Sequence, residues 1–508
     1  MTVWTIAGIF LTLAAIIASS LASSRKVRNA SDFLTGGGRA GPFMVCGTIM
    51  GSLVSSQATI GTAQLAFQYG LSAWWFTLGS GLGCLLLALV YVRPLRASGC
   101  VTELQIISRE YGAPAGRLGS ILCSLGIFIS VLAQVVACTS LLTALFPRLS
   151  FSLAALASVF VMGFYVIFGG SWSAGAGGIL KLFLLYVASL TGMAFVLSLS
   201  GGPGGLFSNL SAALSGTSLG MVQPQVGLSP LPDSAALFRR FWNPTARGTV
   251  KDIGSCLSLM LGVLSTQTYA QAIWSGKTDR AAKRGALLSA LLIPPIGIAG
   301  ISIGLFMRSR YITSAEVSAL LSAGMAVPDL PVLSGTIQVF PVFVLRHLPP
   351  LLGGIILGTL LISVMSGGAG LTLGMATILV KDIWKPFSRS SSPKQELRAT
   401  RCAILLCLLC AALVAILIPS STINDLGFLS MGLRGCVVFL PMTCALWWKG
   451  KVSPRCILAS ILLSPLAVLL GSFLALPFDP LFLGMAISLS LCLLGRFLSK
   501  PPFPSSAP

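Results

Sequence analysis

Two stretches of this chain place glycine, hydroxyl and amide residues where a long apolar helix would carry Leu, Ile and Val. The first runs Gly47-Thr48-Ile49-Met50-Gly51-Ser52-Leu53-Val54-Ser55-Ser56-Gln57-Ala58-Thr59-Ile60-Gly61-Thr62; the second gathers Gly262, Ser265, Thr266, Gln267, Thr268 and Gln271. Such residues bind rather than transform. Unwound backbone is tolerated at membrane depth only where it is buried in protein or lines a cavity, and its freed carbonyls and amides then serve ions and solutes. Small and hydroxyl residues also let membrane helices pack closely, but two such lapses at corresponding places argue for a shared cavity. Its solute-binding residues are expected among Ser56, Gln57, Thr59, Thr62, Thr266, Gln267 and Gln271, with Trp75 from the next span.

A third feature is Arg434, a cation set about two turns into an otherwise apolar span, with Asp425 as the only nearby acid. An intramembrane charge is costly and marks function by default. The planar donor fork of arginine suits a carboxylate, so Arg434 points to a small organic anion. Catalysis is not indicated, because an intramembrane enzyme needs positioned acids, bases or nucleophiles. The only histidine, His347, sits in a loop and reads as incidental. The thirteen cysteines lie scattered in apolar stretches, and Cys407 with Cys410 has no second pair to complete a metal site.

The elements that carry these residues follow from composition. Of 508 residues, 55% are hydrophobic and 9% charged, and the mean hydropathy is +0.92; a soluble domain needs about 25% charged residues to cover its surface. The net charge of +21 falls in short clusters between apolar runs, a topology signal and not a nucleic-acid surface. A helix crossing the bilayer takes about 20 apolar residues. Spans are expected near 3-23, 42-67, 71-92, 118-146, 151-168, 178-200, 253-275, 285-307, 349-380, 402-418, 426-448, 456-475 and 480-497, about thirteen by that rule. Lys and Arg concentrate on alternate connections, such as Arg25-Lys26, Arg93-Arg96, Lys277-Arg284, Lys381-Arg401 and Lys449-Arg455. This places the N-terminus outside and the C-terminus in the cytoplasm of a plasma membrane, read as a bacterial inner membrane. Loops near 201-250 and 309-348 read as extracellular caps, the second with a short helix around Ala315 to Leu321, and the tail from Lys500 to Pro508 reads as disordered.

The expected fold is therefore an all-α membrane protein. An extra N-terminal helix and first loop (1-30) precede a five-helix unit at 42-200, an extracellular loop at 201-252, a second five-helix unit at 253-448, and two further helices with a short tail at 449-508. Each five-helix unit begins with a discontinuous helix, and an odd number of helices inverts the second copy relative to the first.

At this point the chain resembles the sodium/solute symporter family. The likeness rests on Ser31-Asp32-Phe33 leading to Gly38-Arg39, the polar second helix ending at Gly61 and Gly70, and Gly99 through Thr102-Glu103 to Tyr111-Gly112. It continues at Gly169-Gly170, at Gln271 with Lys277, and from Pro441 to Trp447-Trp448-Lys449, so it covers roughly residues 30 to 455. The resemblance implies a leucine-transporter-type fold that works by alternating access, with a cation held between the first and eighth core helices. Carried over residue by residue, Gly51 and Val54 supply carbonyls, Ser363 another, and Ser366 a hydroxyl. The family's second hydroxyl falls at Gly367, so one ligand is missing. Where the family carries Thr-Asp and then Gln, this chain has Gly177-Gly178 followed by Lys181. Positions three apart share a helix face, so Lys181 is expected to aim its ammonium at the cation's place, either replacing sodium or coupling transport to protons. A snorkelling lysine is the plainer alternative.

The resemblance further implies a partner set of one small solute and a coupling ion, sodium or a proton, within the lipid bilayer; no other cofactor and no obligate protein partner is evident. Sugar-binding members line their sites with amides and acids where this chain has Trp74, Trp75, Phe76, Thr77, Leu259 and Gly262, so a monocarboxylate, an amino acid or a vitamin-like acid is expected instead. A channel or a solute sensor remains the rival reading of the same polar spans.

Overall fold

The computed structural model describes residues 2-24, 38-146, 148-214, 234-387, 392-417, 423-474, 476 and 478-498. The motif at Ser31-Phe33, the cluster Arg25, Lys26 and Arg28, and the tail beyond residue 498 lie outside them. The described chain is helical nearly throughout, and its only sheet is a two-residue parallel pair, Ile312-Thr313 with Val332-Leu333. Among the described residues, nine helical runs are long and apolar enough to cross a membrane, and Val3-Ala15, Pro42-Leu53 and Phe151-Phe164 are shorter apolar helices.

Helix α1 spans Val3-Ser24. Helix α2, Pro42-Leu53, stops at the first polar stretch, and the chain resumes as a π-helical turn at Gln57-Gly61 and helix α3 at Thr62-Tyr69. Gly70 then turns the chain with φ +63°, and a Cβ there would run into the Phe241 carbonyl. A side chain would both strain that backbone and clash, which fixes the boundary before helix α4, Trp75-Leu86. Helix α5, Glu103-Tyr111, is a short amphipathic segment capped by the Thr102 hydroxyl on the Gln105 amide; it leads into α6, Ala113-Leu145.

Helix α7 differs from expectation. Helical backbone continues from Phe151 to Ser200, so the connection expected between the spans at 151-168 and 178-200 is itself helical. No proline interrupts residues 151-200, and glycine alone weakens a helix without ending it.

The second interruption mirrors the first. Helix α8, Thr249-Leu264, ends at Ser265-Thr266, and α9 restarts at Gln267-Ser275. Helices α10 (Asp279-Arg308), α11 (Pro350-Ile378), α12 (Pro393-Leu417) and α13 (Ile423-Arg434) complete the core, followed by α14 (Pro454-Phe473) and α15 (Leu481-Leu498). The helix expected around Ala315-Leu321 is Ser314-Ser322, opened by a reciprocal capping box between Thr313 and Glu316.

Helix α11 is the packing axis. Gly367, Gly370 and Gly374 present one glycine face to Ser55, Ser52 and Thr268, so the broken α2 and α9 both lie against it. On another face, Gly354 and Gly358 meet the Thr5 backbone and Thr12 of α1, whose own Gly8 meets the Leu351 carbonyl. Close glycine contacts are how membrane helices gain dispersion energy where lipid supplies no hydrophobic drive. Around the α4 to α8 contact, Arg247 and Asp252 form a buried ion pair of 2.7 Å shared with the hydroxyls of Ser72 and Ser255. Both charges are paired and bonded, as burial demands.

Candidate functional site

The carbonyls expected to hold a cation converge where α2 breaks. Because α2 ends at Leu53, its last carbonyls lack the amide partners that a continuing helix would supply. They carry the negative end of the helix dipole. Lys181 is buried, and its Nζ donates to the Gly51 carbonyl at 2.7 Å and to the Ser363 carbonyl at 3.0 Å. The Ser363 hydroxyl donates to the Val54 carbonyl at 3.2 Å, and the Ser366 hydroxyl donates to the Ser363 carbonyl at 3.2 Å. Every carbonyl of the expected set therefore already accepts a hydrogen bond from the chain.

The reach of Lys181 depends on a close approach one turn away. Gly178 of α7 packs so tightly on Gly47 of α2 that a Cβ would overlap the Gly47 carbonyl. One turn onward on each helix come Lys181 and Gly51, so contact between two glycines sets the distance that the lysine spans. Gly367, where the family's second hydroxyl is missing, faces Ser55: a Cβ there would fall 2.5 Å from the Ser55 Cβ and 3.5 Å from Gln134 Oε1. Neighbouring side chains fill the space beside Gly367.

Gln134 of α6 was not signalled by the sequence, since a single amide in a long apolar run looks like packing. Its Oε1 accepts from the Ser56 hydroxyl at 2.8 Å and its Nε2 donates to the Ser55 hydroxyl at 2.9 Å, which anchors the unwound segment to α6. Thr59 and Thr62 turn their hydroxyls onto the backbone carbonyls of Ser55 and Gln57, so they shape the π-turn. Gln57 is buried, with Nε2 unpartnered.

Arg434 is fully buried, and its fork gathers three segments. It donates to the Ser430 carbonyl (3.1 Å), to Thr266 Oγ1 in the second interruption (2.9 Å), and to the hydroxyls of Ser130 and Ser430 (3.0 Å each). Met431 Sδ completes its surroundings at 3.1 Å. No carboxylate forms an ion pair with it among the described residues. Asp425 forms no ion pair with it either; the buried acid to compare with it is Glu103 of α5, which belongs to the motif at residues 99-112. Glu103 is buried with Oε2 unpartnered. Burial holds its carboxyl well above the usual carboxylate range, and Arg434 offsets part of that.

Three expected solute ligands are turned elsewhere. Gln267 bridges to α5, accepting from the Glu103 amide at 3.1 Å and donating to the Val101 carbonyl at 2.8 Å. Gln271 donates to Thr377 of α11 at 2.9 Å. Trp75 donates to the Pro244 carbonyl at 2.6 Å at the end of α4. These polar groups fasten helices together.

The comparisons bear on what such an arrangement is for. Over 446 residues, 84% of this chain and 69% of the relative, the sequence is 24% identical to the human high affinity choline transporter 1. It is 23% identical to the human sodium/iodide cotransporter over 82% of this chain, an alignment spanning 62% of that relative's length, so the chain matches less than two thirds of it. The backbone is similar to a sodium-coupled sialic acid symporter solved in a substrate-bound outward-open state, with TM-score 0.74 at 17% identity over 98% of this chain and 97% of the other. It also matches a nucleobase-cation-symport-1 family transporter in a closed conformation, with TM-score 0.54 at 13% identity over 94% and 98%. These relatives are transporters and not enzymes, and the fold is the multi-pass helical one that they share. The pattern of the sodium:solute symporter family fits residues 33-462, and this chain belongs to that family.

Proposed function

We propose that this protein is a secondary transporter of a small organic solute that works by alternating access, with the Lys181 ammonium occupying the place that its family gives to a coupling sodium ion. The observation that carries this reading is the Nζ placed 2.7 Å and 3.0 Å from the carbonyls of Gly51 and Ser363, which joins α2 to α11 as a bound cation would. An ammonium is a compact charge with three donors, and carbonyl oxygens that satisfy a hard cation satisfy it equally. Gly367 supports the same reading, because a site short of one oxygen has lost affinity for sodium but none for a tethered charge. On this reading transport needs no sodium. We place the N-terminus outside and the C-terminus in the cytoplasm, since that orientation puts most basic clusters inside.

The test is counterflow into proteoliposomes, screening carboxylates, amino acids and neutral solutes, with sodium or potassium as the only cation. Equal initial rates within about twofold are expected, a difference under about 0.5 kcal/mol. A rate that collapses when potassium replaces sodium refutes the proposal.

A further inference from the structure

We infer that the transported solute is an organic acid, its carboxylate held by the Arg434 guanidinium and its polar far end by the amides of Gln57 and Asn424. The inference rests on the transporter reading above and narrows its solute.

The first support is a charge without a matching charge beside it. Arg434 is surrounded by hydroxyls, one carbonyl and a thioether. Neutral acceptors satisfy guanidinium donors, but they leave most of the cost of burying the charge uncompensated. Glu103 faces the converse problem, since its buried Oε2 lacks a partner. With burial holding its carboxyl well above the usual carboxylate range, Glu103 supplies Arg434 with no full countercharge. A solute carboxylate reaching the fork would supply the close negative charge that Arg434 lacks. Lys181 adds a second buried positive charge, at the break of α2, so the interior favours anions over cations.

The second support is a pair of amides with nothing to bind. Asn424 is wholly buried, and both its Oδ1 and Nδ2 lack partners; Gln57 Nε2 lacks one as well. They adjoin each other through two glycines: a Cβ at Gly61 would overlap Asn424, and one at Gly427 would overlap the Gln57 amide. Each buried unmade hydrogen bond costs about 1-3 kcal/mol, so such atoms mark where a ligand's polar groups belong.

The spacing sets the size of the acid. Side chains on a helix lean toward its N-terminus, and Arg434 does so, bonding the Ser430 carbonyl one turn back. Its fork thus lies at the level of Ser430. Gln57 lies at the level of Gly427, three residues or about 4.5 Å away at 1.5 Å per residue, and Asn424 is six residues or about 9 Å away. At about 1.2 Å per extended bond, the far polar group stands roughly four to seven bonds from the carboxylate. A neutral polyol would leave Arg434 uncompensated, and an amine would be repelled by it.

Gluconate, sorbitol and glucamine share one hydroxylated chain and differ in charge at one end, so they test this directly. Thermal melting of the purified full chain is measured against each. Gluconate is expected to raise the melting temperature in a saturable way, and sorbitol and glucamine to leave it unchanged. Arg434→Lys is expected to weaken gluconate binding about tenfold to a hundredfold, the value of one charged hydrogen bond, and Asn424→Ala to weaken gluconate but not propionate, which is too short to reach it. If Arg434→Lys fails to fold, the wild-type series still decides. Equal stabilisation by sorbitol or glucamine, or none by gluconate, overturns the inference. Sodium dependence does not enter this readout, so an acid that binds yet moves only with sodium sinks the Lys181 proposal alone, and sodium-independent transport of a neutral solute sinks this one alone.

Discussion

Replacing Lys181 by Met keeps most of the stem and removes the charge. Two hydrogen bonds from a charged donor, at 2.7 Å and 3.0 Å, are lost at about 1.5-3 kcal/mol each, about 3-6 kcal/mol in all. Against this stands relief of the several kcal/mol needed to bury an ammonium. The folded protein is therefore expected to change in stability by no more than about 2 kcal/mol. The conformational balance should change more, because the bridge exists only while α2 and α11 stand at this separation. Losing about 3 kcal/mol of that preference moves a two-state ratio by about a hundredfold. Hydrogen exchange over residues 47-62 reads it: Met at 181 should speed exchange there by one to two decades and leave α10 unchanged. Sodium provides a second readout. A site with a dissociation constant of about 1 mM would add about 2.7 kcal/mol at 100 mM sodium. The wild type should gain nothing over potassium, whereas Lys181→Ala, with the Gly51 and Ser363 carbonyls released from the ammonium, should gain a smaller amount of about 1 kcal/mol. Wild-type protein stabilised by sodium, together with a Met variant whose exchange is unaltered, would show that the lysine neither fills the site nor ties the helices.

Two other expectations follow from packing and charge. Gly178→Ala drives a methyl into the Gly47 carbonyl and should cost about 1-3 kcal/mol in melting experiments; by parting α2 from α7 it should also reproduce the rapid exchange of Lys181→Met. Glu316 is half enclosed near Arg308, 2.8 Å away: burial raises its pKa, but Arg308 and the Thr313 hydrogen bonds outweigh it and leave the value below the usual 4.5. A depressed folded value contributes stability that is present above the unfolded pKa and lost as pH falls through the folded one. The wild type should therefore lose melting temperature between about pH 5 and pH 3, and Glu316→Gln should start lower at pH 7 and lose less over that range.

Both helix interruptions could be read from the chain because glycine, serine and glutamine in a greasy run are a local signal. What the amides do there could not be read so directly. Gln57 and Gln267 look alike in sequence, yet Gln57 leaves its amide nitrogen unpartnered while Gln267 clamps Val101 and the Glu103 amide. The difference is made by a loop more than 160 positions away. Lys181 was detectable as an unexpected base, but the distance to Gly51 depends on the Gly47 and Gly178 contact between separate helices. Asn424 carries no local signal, because it stands at a helix start, where asparagine commonly caps. The continuous backbone of α7 also had no local sign, since Gly169-Gly170 suits a loop and a tolerant helix alike.

A positive charge bonded covalently to a helix stays with the protein when the cargo departs. If Lys181 does stand where a dissociable ion otherwise would, each crossing carries no sodium downhill, and the salt gradient of the cell does no work on the cargo. An acid moving alone toward a cytoplasm held at -100 mV climbs about 2.3 kcal/mol per charge. Such a carrier would sustain uptake only by trading one anion for another, or would run in the opposite sense and let acids out.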